Sequence, residues 1–575
     1  MTTTQPSSKS SQPPRPATGQ VVGITYTFKH YYWFLRLLTV ELYLFVFTFV
    51  NTMKRVLTDQ LVEDKVCLQY YHYPEDWCRQ MHTMPDSILS DDEDSSRQWK
   101  QSVLDESRKV RLYKLAMSVL PLVLATMLIG HWTDTYIKGK KYVLILGAIA
   151  TIAECGILVL NDYYFDWSQY YILISYIPGI ITGGLFALLT GIWAYILMTS
   201  PSHMITIRIA VAEIVNLFAQ ALGTYVGAWM LDRPTFYEPS GQQLHNYSGV
   251  YAIGGVSFAA VLVWTVLMVY EEHHIKVWEQ RFNTAVTTGD TVDGHNIDGE
   301  NTANNRAEHK LRLFERYRHI HPLKLLLNLR NGHKMMAKMF KLRPNYGRCQ
   351  IWLLLLSLTM WTAASTGPLV FMYQWSVRVY SWDVHTYNNH LAIEYVIRGC
   401  GTLLAIPILF RFLQLRDTTL SLIGLVSYGT MCLIRGIWQH DQAYYYSIIP
   451  GCLGAYAVIG FRARLSKLLR HHEMGKIFSL FSAFEANTSL VSNEIYKLVY
   501  EKTVDLSGCQ GLALLLTALV VCIPLVALFW IHSYTEEPDH HNSRCNDCNG
   551  DDSGSGGGVR DRYAGNGGGG DDNLI

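Results

Sequence analysis

The chain reads as an all-α membrane protein of about twelve transmembrane helices in two six-helix halves, on three observations. Its apolar residues fall in long blocks, 49% of the 575 residues being hydrophobic and only 17% charged, against about 25% charged in soluble domains. A long basic segment separates the first six blocks from the last six. A Pro-Gly helix start, preceded by a run of tyrosines, occurs at corresponding places in the two sets.

A helix needs about 20 mostly apolar residues to cross a bilayer, because no backbone group can stay unpaired in hydrocarbon. The first half offers Leu37 to Leu57, Leu112 to Trp132, Tyr142 to Leu160, Tyr170 to Met198, Ile207 to Leu231 and Gly249 to Tyr270. The second offers Cys349 to Phe371, Asn389 to Phe412, Leu420 to Trp438, Tyr444 to Arg464, Lys476 to Tyr500 and Gly511 to Ile531. The resulting organisation is a cytosolic N-terminal segment (1–36), an N-terminal six-helix bundle (37–270), a basic, partly disordered cytosolic linker (271–348), a C-terminal six-helix bundle (349–532) and a disordered cytosolic tail (533–575). Disorder is expected where Gly, Asp, Asn and Thr dominate, at Thr284 to Asn305 and beyond Glu536.

Loop charge gives the orientation. Lys and Arg crowd the linker and the turns Lys138 to Lys141 and Lys467 to Lys476, which places them in the cytosol with both termini. The first loop, with Asp59, Glu63, Asp64, Glu75, Asp76 and Asp91 to Asp94, falls on the opposite side. There Cys67 and Cys78 can form a disulfide or remain two free thiols, and the sequon at Asn246 can be glycosylated. The net charge of +1 lends nothing to nucleic-acid binding. Cys545 and Cys548 have metal-like spacing but no second pair of ligands, so no metal site is expected.

Comparison of the halves points to a duplication. Ser175-Tyr176-Ile177-Pro178-Gly179 in the fourth span is echoed by Ser447-Ile448-Ile449-Pro450-Gly451 in the tenth. Thirty-five residues beyond each proline stands a glutamate, Glu213 in the fifth span and Glu485 in the eleventh. Parallel six-span repeats characterise the major facilitator fold, whose substrate site lies near the bilayer midplane between the halves.

The intramembrane charges then carry the functional reading. A charge at the bilayer centre costs at least about 2.5 to 3.5 kcal/mol on insertion scales, so each implies a partner or a wet cavity. Such charges are Glu41, Glu154, Arg208, Glu213, Glu394, Arg398, Arg435, Arg462, Arg464, Glu485 and Glu494. Glu213 and Glu485 are the candidates for a proton-coupling role, because a carboxyl in a low-dielectric span can take up and release a proton near physiological pH. Glu394 and Arg398, four residues apart on one helical face, can neutralise each other or bind substrate. Arg208 is placed to snorkel to the cytosol. Arg462 and Arg464 can anchor the tenth span or grip an anion bidentately. Trp361 and Trp193 can stack on a planar ligand or simply pack.

Gly130-His131-Trp132-Thr133-Asp134, followed by Gly139-Lys140-Lys141, resembles the loop between the second and third spans of major facilitator transporters. That likeness implies a conformational latch at Gly130, Asp134, Lys140 and Lys141, although Thr135 stands where a basic residue usually follows the aspartate. Three stretches resemble the proton-coupled folate transporter family, solute carrier family 46: Val40-Glu41 leading to Gln60 to Cys67, Thr206 to Glu213, and Arg462-Ala463-Arg464-Leu465-Ser466-Lys467-Leu468. The resemblance implies a proton-driven symporter importing a bulky organic anion such as a folate, cyclic dinucleotide, muropeptide or conjugated metabolite. It carries over Glu213 as the proton-linked carboxylate and Arg462 or Arg464 as the tenth-span basic group. The span Ile351 to Phe371 lacks the histidine of the folate-transporting members, so folate itself is not specified.

The expected partners are therefore a small organic anion, protons and a lipid bilayer, with no cofactor beyond the proton. The membrane is the plasma or an endolysosomal one. A non-transporting receptor or scaffold is the competing reading, and a membrane-embedded enzyme a weaker one, since the adjacent pairs His273-His274 and His471-His472 are poorly placed to share a ligand.

Overall fold

A computed structural model of the chain describes residues 38–81, 93–135, 139–200, 205–231, 233–234, 244–269, 346–382, 384–413, 415–469, 474–503 and 510–534. The linker and both tails lie outside them. Backbone groups in lipid must pair within their own segment, and the described residues accordingly form long helices and no strand. The long helices are α1 (Thr39–Lys65), α2 (Glu93–Thr135), α3 (Gly139–Tyr163), α4 (Gly184–Thr199), α5 (Ile205–Leu231), α6 (Tyr247–Met268), α7 (Gly347–Thr366), α8 (Val384–Ile406), α9 (Asp417–Ile437), α10 (Tyr456–Leu468), α11 (Met474–Thr503) and α12 (Leu512–Tyr534). Among the described residues, nine spans are long and apolar enough to cross a membrane by length and composition. Helices α1 and α11 carry charges within their apolar stretches, Glu41, Lys54 and Arg55 in the first and Glu485 and Glu494 in the second.

The duplication is visible in the packing. In the first half α1 packs on α5 and α3 on α6; in the second, α7 packs on α11 and α9 on α12. The repeated Pro-Gly motif marks a break at the same point of each half. Before α4 the short helix Ile177–Thr182 ends at Gly183 and Gly184, both with positive φ. Before α10 the helix Asp441–Gly451 gives way to a turn at Cys452 to Ala455. The two halves meet through α5 against α8 and α10, and through α11 against α2 and α4.

One end of the bundle, the linker end, holds the starts of α1, α5, α7, α9 and α11. It is closed across the halves by Thr206 of α5, which donates to Asp417 of α9 at 3.3 Å, while Lys467 of α10 pairs with the same carboxylate at 2.6 Å. The opposite end carries a folded cap over the first half. Cys67 and Cys78 are joined there by a disulfide, and the loop they close stacks Tyr73 on Trp99, ring centroids 4.5 Å apart. The described part of the acidic first loop is thus folded. Helix α2 starts at Glu93, well before the expected Leu112, and its 43 residues make it about 64 Å long at 1.5 Å per residue. Val103 and Val110 of that extension are buried with Cys67, Cys78 and Phe165, which supplies the apolar contact the extra turns need.

The expected glycosylation at Asn246 is not supported by this geometry. Asn246 is 1% exposed and caps α6, its Oδ1 accepting from Gly249 N, while Nδ2, the atom that would carry a glycan, donates to Pro234 O. Treatment with a deglycosylating enzyme should leave the protein's electrophoretic mobility unchanged.

In the second half α9 crosses α10 in close contact. A Cβ added to Gly424 would lie 2.1 Å from the backbone nitrogen of Ala457, so the two helices touch through backbone. Gly424→Ala should therefore destabilise the protein by about 1–3 kcal/mol, read as a lower melting temperature in detergent. Gly156→Ala, with nothing within 4 Å of the new carbon, should not.

Candidate functional site

Charges buried among helices are tolerated when they are paired, and the pairing here sorts the ionisable groups into structural pairs and two unbalanced clusters. Helix α1 is held by two of the structural pairs. Arg208 of α5 is 1% exposed and donates through Nε to Glu41 of α1 at 2.9 Å, with further bonds to Ile196 O and Ser200 Oγ at the end of α4. It does not snorkel, because the Glu41 carboxylate and the orphan carbonyls of α4 already satisfy it. Lys54 of α1 pairs with Glu154 of α3 at 2.7 Å. Arg464 donates to Gln350 of α7 at 3.0 Å, so it ties α10 to α7.

The first unbalanced cluster joins the halves. Arg462 of α10 reaches across to Glu213 of α5, forming a short ion pair and hydrogen bond through Nη1. Its Nη2 donates to Glu485 of α11 at 3.2 Å. The two glutamates at equivalent places in the repeat thus converge on one guanidinium. Asn216 buttresses Glu213 at 3.5 Å and in turn accepts from Thr48 of α1 at 2.7 Å. The indole of Trp193 on α4 lies under the guanidinium, 4.1 Å from its carbon, an arrangement favourable to a cation. With both carboxylates ionised the cluster carries one negative charge in excess. A small cavity with accessible space of about 10 Å³, room for roughly one water, adjoins it and is lined by Trp193, Leu358, Phe461, Arg462, Ser482 and Glu485 among others. Among the described residues the Trp193 indole N–H has no hydrogen-bond partner. The open wet passage that the intramembrane charges imply is therefore replaced here by a paired, nearly closed junction.

The second cluster lies within the second half. Glu394 of α8 accepts from Arg435 of α9 at 2.9 Å and from Tyr444 at 2.8 Å. Arg435 is further fixed by Ser447 at 2.8 Å and by the Tyr444 ring, 4.1 Å away. Arg398, the expected partner of Glu394, is more distant at 3.6 Å. The four-residue spacing is thus correct for a contact, but Arg435 holds the carboxylate more closely because it comes from a facing helix with hydrogen-bonding geometry. This cluster carries one positive charge in excess. Trp361 of α7 packs edge-on against Tyr428, with ring centroids 5.0 Å apart, and Arg398 lies over the other side of that cluster, 5.7 Å from the Tyr428 centroid.

For the latch, Gly130 and Asp134 lie on the backbone of α2, and their side-chain surroundings fall outside the described residues. Lys140 is buried at the start of α3, and Lys141 donates to Val266 O of α6 at 2.8 Å, inside the first half. The sequence reading missed Lys54, Arg55 and Asp417. Lys54 and Arg55 sit inside the predicted first span, close to its end at Leu57, whereas Asp417 precedes the ninth and gave no signal that it faces Thr206 across the halves.

The profile of the Major Facilitator Superfamily matches residues 112–491, most of the chain. The chain belongs to that superfamily. This major facilitator protein is a membrane transporter rather than an enzyme. It is 25% identical over 132 residues to Solute carrier family 46 member 2 of Mus musculus, covering 23% of this chain and 26% of the relative. To the protein of the same name from Canis lupus familiaris it is 24% identical over 147 residues, 25% of this chain and 30% of that one. The chain thus spans under a third of those relatives' length in the match, which agrees with the family 46 resemblance of the sequence. Among solved structures it is similar to the human organic anion transporter MFSD10, with a TM-score of 0.54 at 12% identity, covering 86% of this chain and 98% of the other. It is similar also to the proton:xylose symporter XylE, with 0.52 at 13% identity over 86% and 96% of the two chains. At such identities the likeness is one of fold.

The two arginines of the second cluster predict opposite responses. Arg435→Gln strands the Glu394 carboxylate and should cost about 3–5 kcal/mol, seen as a large fall in melting temperature of the purified protein. Arg398→Gln removes the surplus cation and should leave that temperature unchanged or raise it.

Proposed function

We propose that this major facilitator transporter is a proton-coupled symporter that carries an organic anion toward the cytosol. The observation that carries the reading is the shared guanidinium: Arg462 is bound to Glu213 in the other half and to Glu485 in its own. One proton added to this cluster makes it neutral. If that proton goes to Glu213, the carboxylate that draws Arg462 across the interface is removed, and Arg462 is left with Glu485 inside the second half. An ion pair that joins the two halves is then released, which is what a proton-driven opening toward the cytosol requires.

Rocking of one half against the other about a midplane site supplies the remaining step, and the cavity beside Arg462 with the unused Trp193 N–H is the place a substrate group would enter. The organic-anion class is supported by what the family 46 resemblance of the sequence implies and by the named activity of MFSD10, and proton coupling by that of XylE. Within that class we favour a folate, cyclic dinucleotide, muropeptide or conjugated metabolite. We place the protein in the plasma or an endolysosomal membrane with both termini cytosolic, the side the basic linker selects.

The test is uptake of a labelled panel of those compounds into cells at neutral and mildly acid external pH. Uptake should rise as the pH falls, because protonation removes the excess charge. Glu213→Gln, which mimics the protonated group permanently, should abolish the acid stimulation, and Glu485→Gln should weaken it at least about tenfold, the loss of one charged hydrogen bond. Unchanged pH dependence in both variants would contradict the reading. Binding without any uptake in the native protein would instead favour a receptor.

A further inference from the structure

The proton site accounts for one excess charge and leaves the other unused. Arg398 is that residual cation. Its competitor Arg435 holds Glu394 at 2.9 Å and is itself anchored by Ser447 and Tyr444, whereas Arg398 stands 3.6 Å from Glu394. Among the described residues its Nε is a buried donor with no hydrogen-bond partner. A guanidinium that must share its one nearby carboxylate with a closer arginine is expensive inside a span, and charged groups of this kind mark substrate or ion pathways.

Its surroundings define what that counter-charge would belong to. Tyr428 lies under the guanidinium and Trp361 packs on Tyr428, so an aromatic wall adjoins the cation. The break in the tenth span comes up beside it: a Cβ added to Gly454 would lie 3.5 Å from Arg398 Nη2. Broken helices of this kind build substrate sites at the midplane of transporters. A second cation faces the same helix from the opposite half. Arg55 of α1 is exposed although it stands within a span, and it lies in electrostatic range of Tyr387 and Tyr395 of α8. Tyr395 is also in range of Arg398, one turn further along α8. Arg55 therefore stands near enough to α8 for its charge to act on that helix. Trp361 is one turn along α7 from Leu358, which lines the cavity beside Arg462, so this region is the next level of the same central axis.

The geometry points to a binding site between Arg55 and Arg398, walled by Tyr395, Tyr428 and Trp361, for the anionic group of a planar aromatic solute. The inference rests on the reading of the chain as an anion transporter and adds where, and by which residues, the anion is held. Because the two guanidiniums belong to different halves, an anion between them joins the halves at this level while the proton releases them at Arg462. Loading of both is then needed for the rocking step.

Naphthalene-2-sulfonate is a suitable probe, since it stays ionised at every pH used, and naphthalene-2-sulfonamide is its uncharged counterpart. Binding is followed by titrating the full-length protein in lipid nanodiscs and reading thermal stabilisation. The sulfonate should bind saturably and more tightly than the sulfonamide. Arg398→Gln and Arg55→Gln should each weaken it at least about tenfold, the loss of one charge-assisted bond, and Arg398→Lys should keep most of the affinity. Equal binding of sulfonate and sulfonamide, or undiminished sulfonate binding by both Gln variants, overturns the site. The two readings fail separately: acid-stimulated uptake with intact sulfonate binding in the Arg variants refutes only the site, whereas Arg-dependent binding without any acid stimulation refutes only the proton-coupled function.

Discussion

A guanidinium shared by two carboxylates from different halves of the molecule is the constraint on which the rest of this structure depends. In a low-dielectric interior an ion pair of this kind is stable only if each member is hydrogen-bonded and the assembly is enclosed. The fold provides the enclosure by crossing α5, α10 and α11 at one level, with Trp193 beneath the cation and the Asn216–Thr48 bridge behind Glu213. The same crossing makes the junction conditional. Its three groups do not sum to zero, so a proton alters the electrostatics of the interface more than a change at any balanced pair such as Arg208–Glu41 or Lys54–Glu154 would.

The duplication explains how the site arises. Each half contributes a glutamate at the same distance from its Pro-Gly break, but only the second half contributes the arginine between them. The resulting asymmetry gives one half the cation and leaves the other half with an anion that must reach across. Corresponding asymmetry appears nearer the midplane, where the second half holds two arginines for one glutamate. Opposite excess charges at two levels of one axis are what the proposed transport of a proton together with an anion would use.

Much of this was legible in the sequence because lipid imposes its demands on composition. Long apolar blocks, the basic linker and the recurring Pro-Gly motif delimit the halves, and the spacing from that motif picks out Glu213 and Glu485 before any coordinates. What the sequence could not supply was the choice of partner. Spacing on one helix pairs Glu394 with Arg398, yet a facing helix offers Arg435 in better geometry. Likewise Arg208 and Arg464 look alike as arginines near helix ends, and only the packing of α1 and α7 against them shows that both are structural. The ordered extension of α2 was hidden because its polar composition reads as a loop, while its stability comes from Val103 and Val110 packing on a disulfide-closed turn far off in sequence.

The most direct test is infrared difference spectroscopy of the protein in lipid during acidification, which detects the carbonyl stretch of a protonated carboxylic acid. The account predicts a new band from a buried acid as the pH falls, lost when Glu213 and Glu485 are both replaced by Gln and retained when Glu394 is. A spectrum with no such band, or one whose band survives the double replacement, would show that the shared guanidinium is a structural tie and would contradict the account.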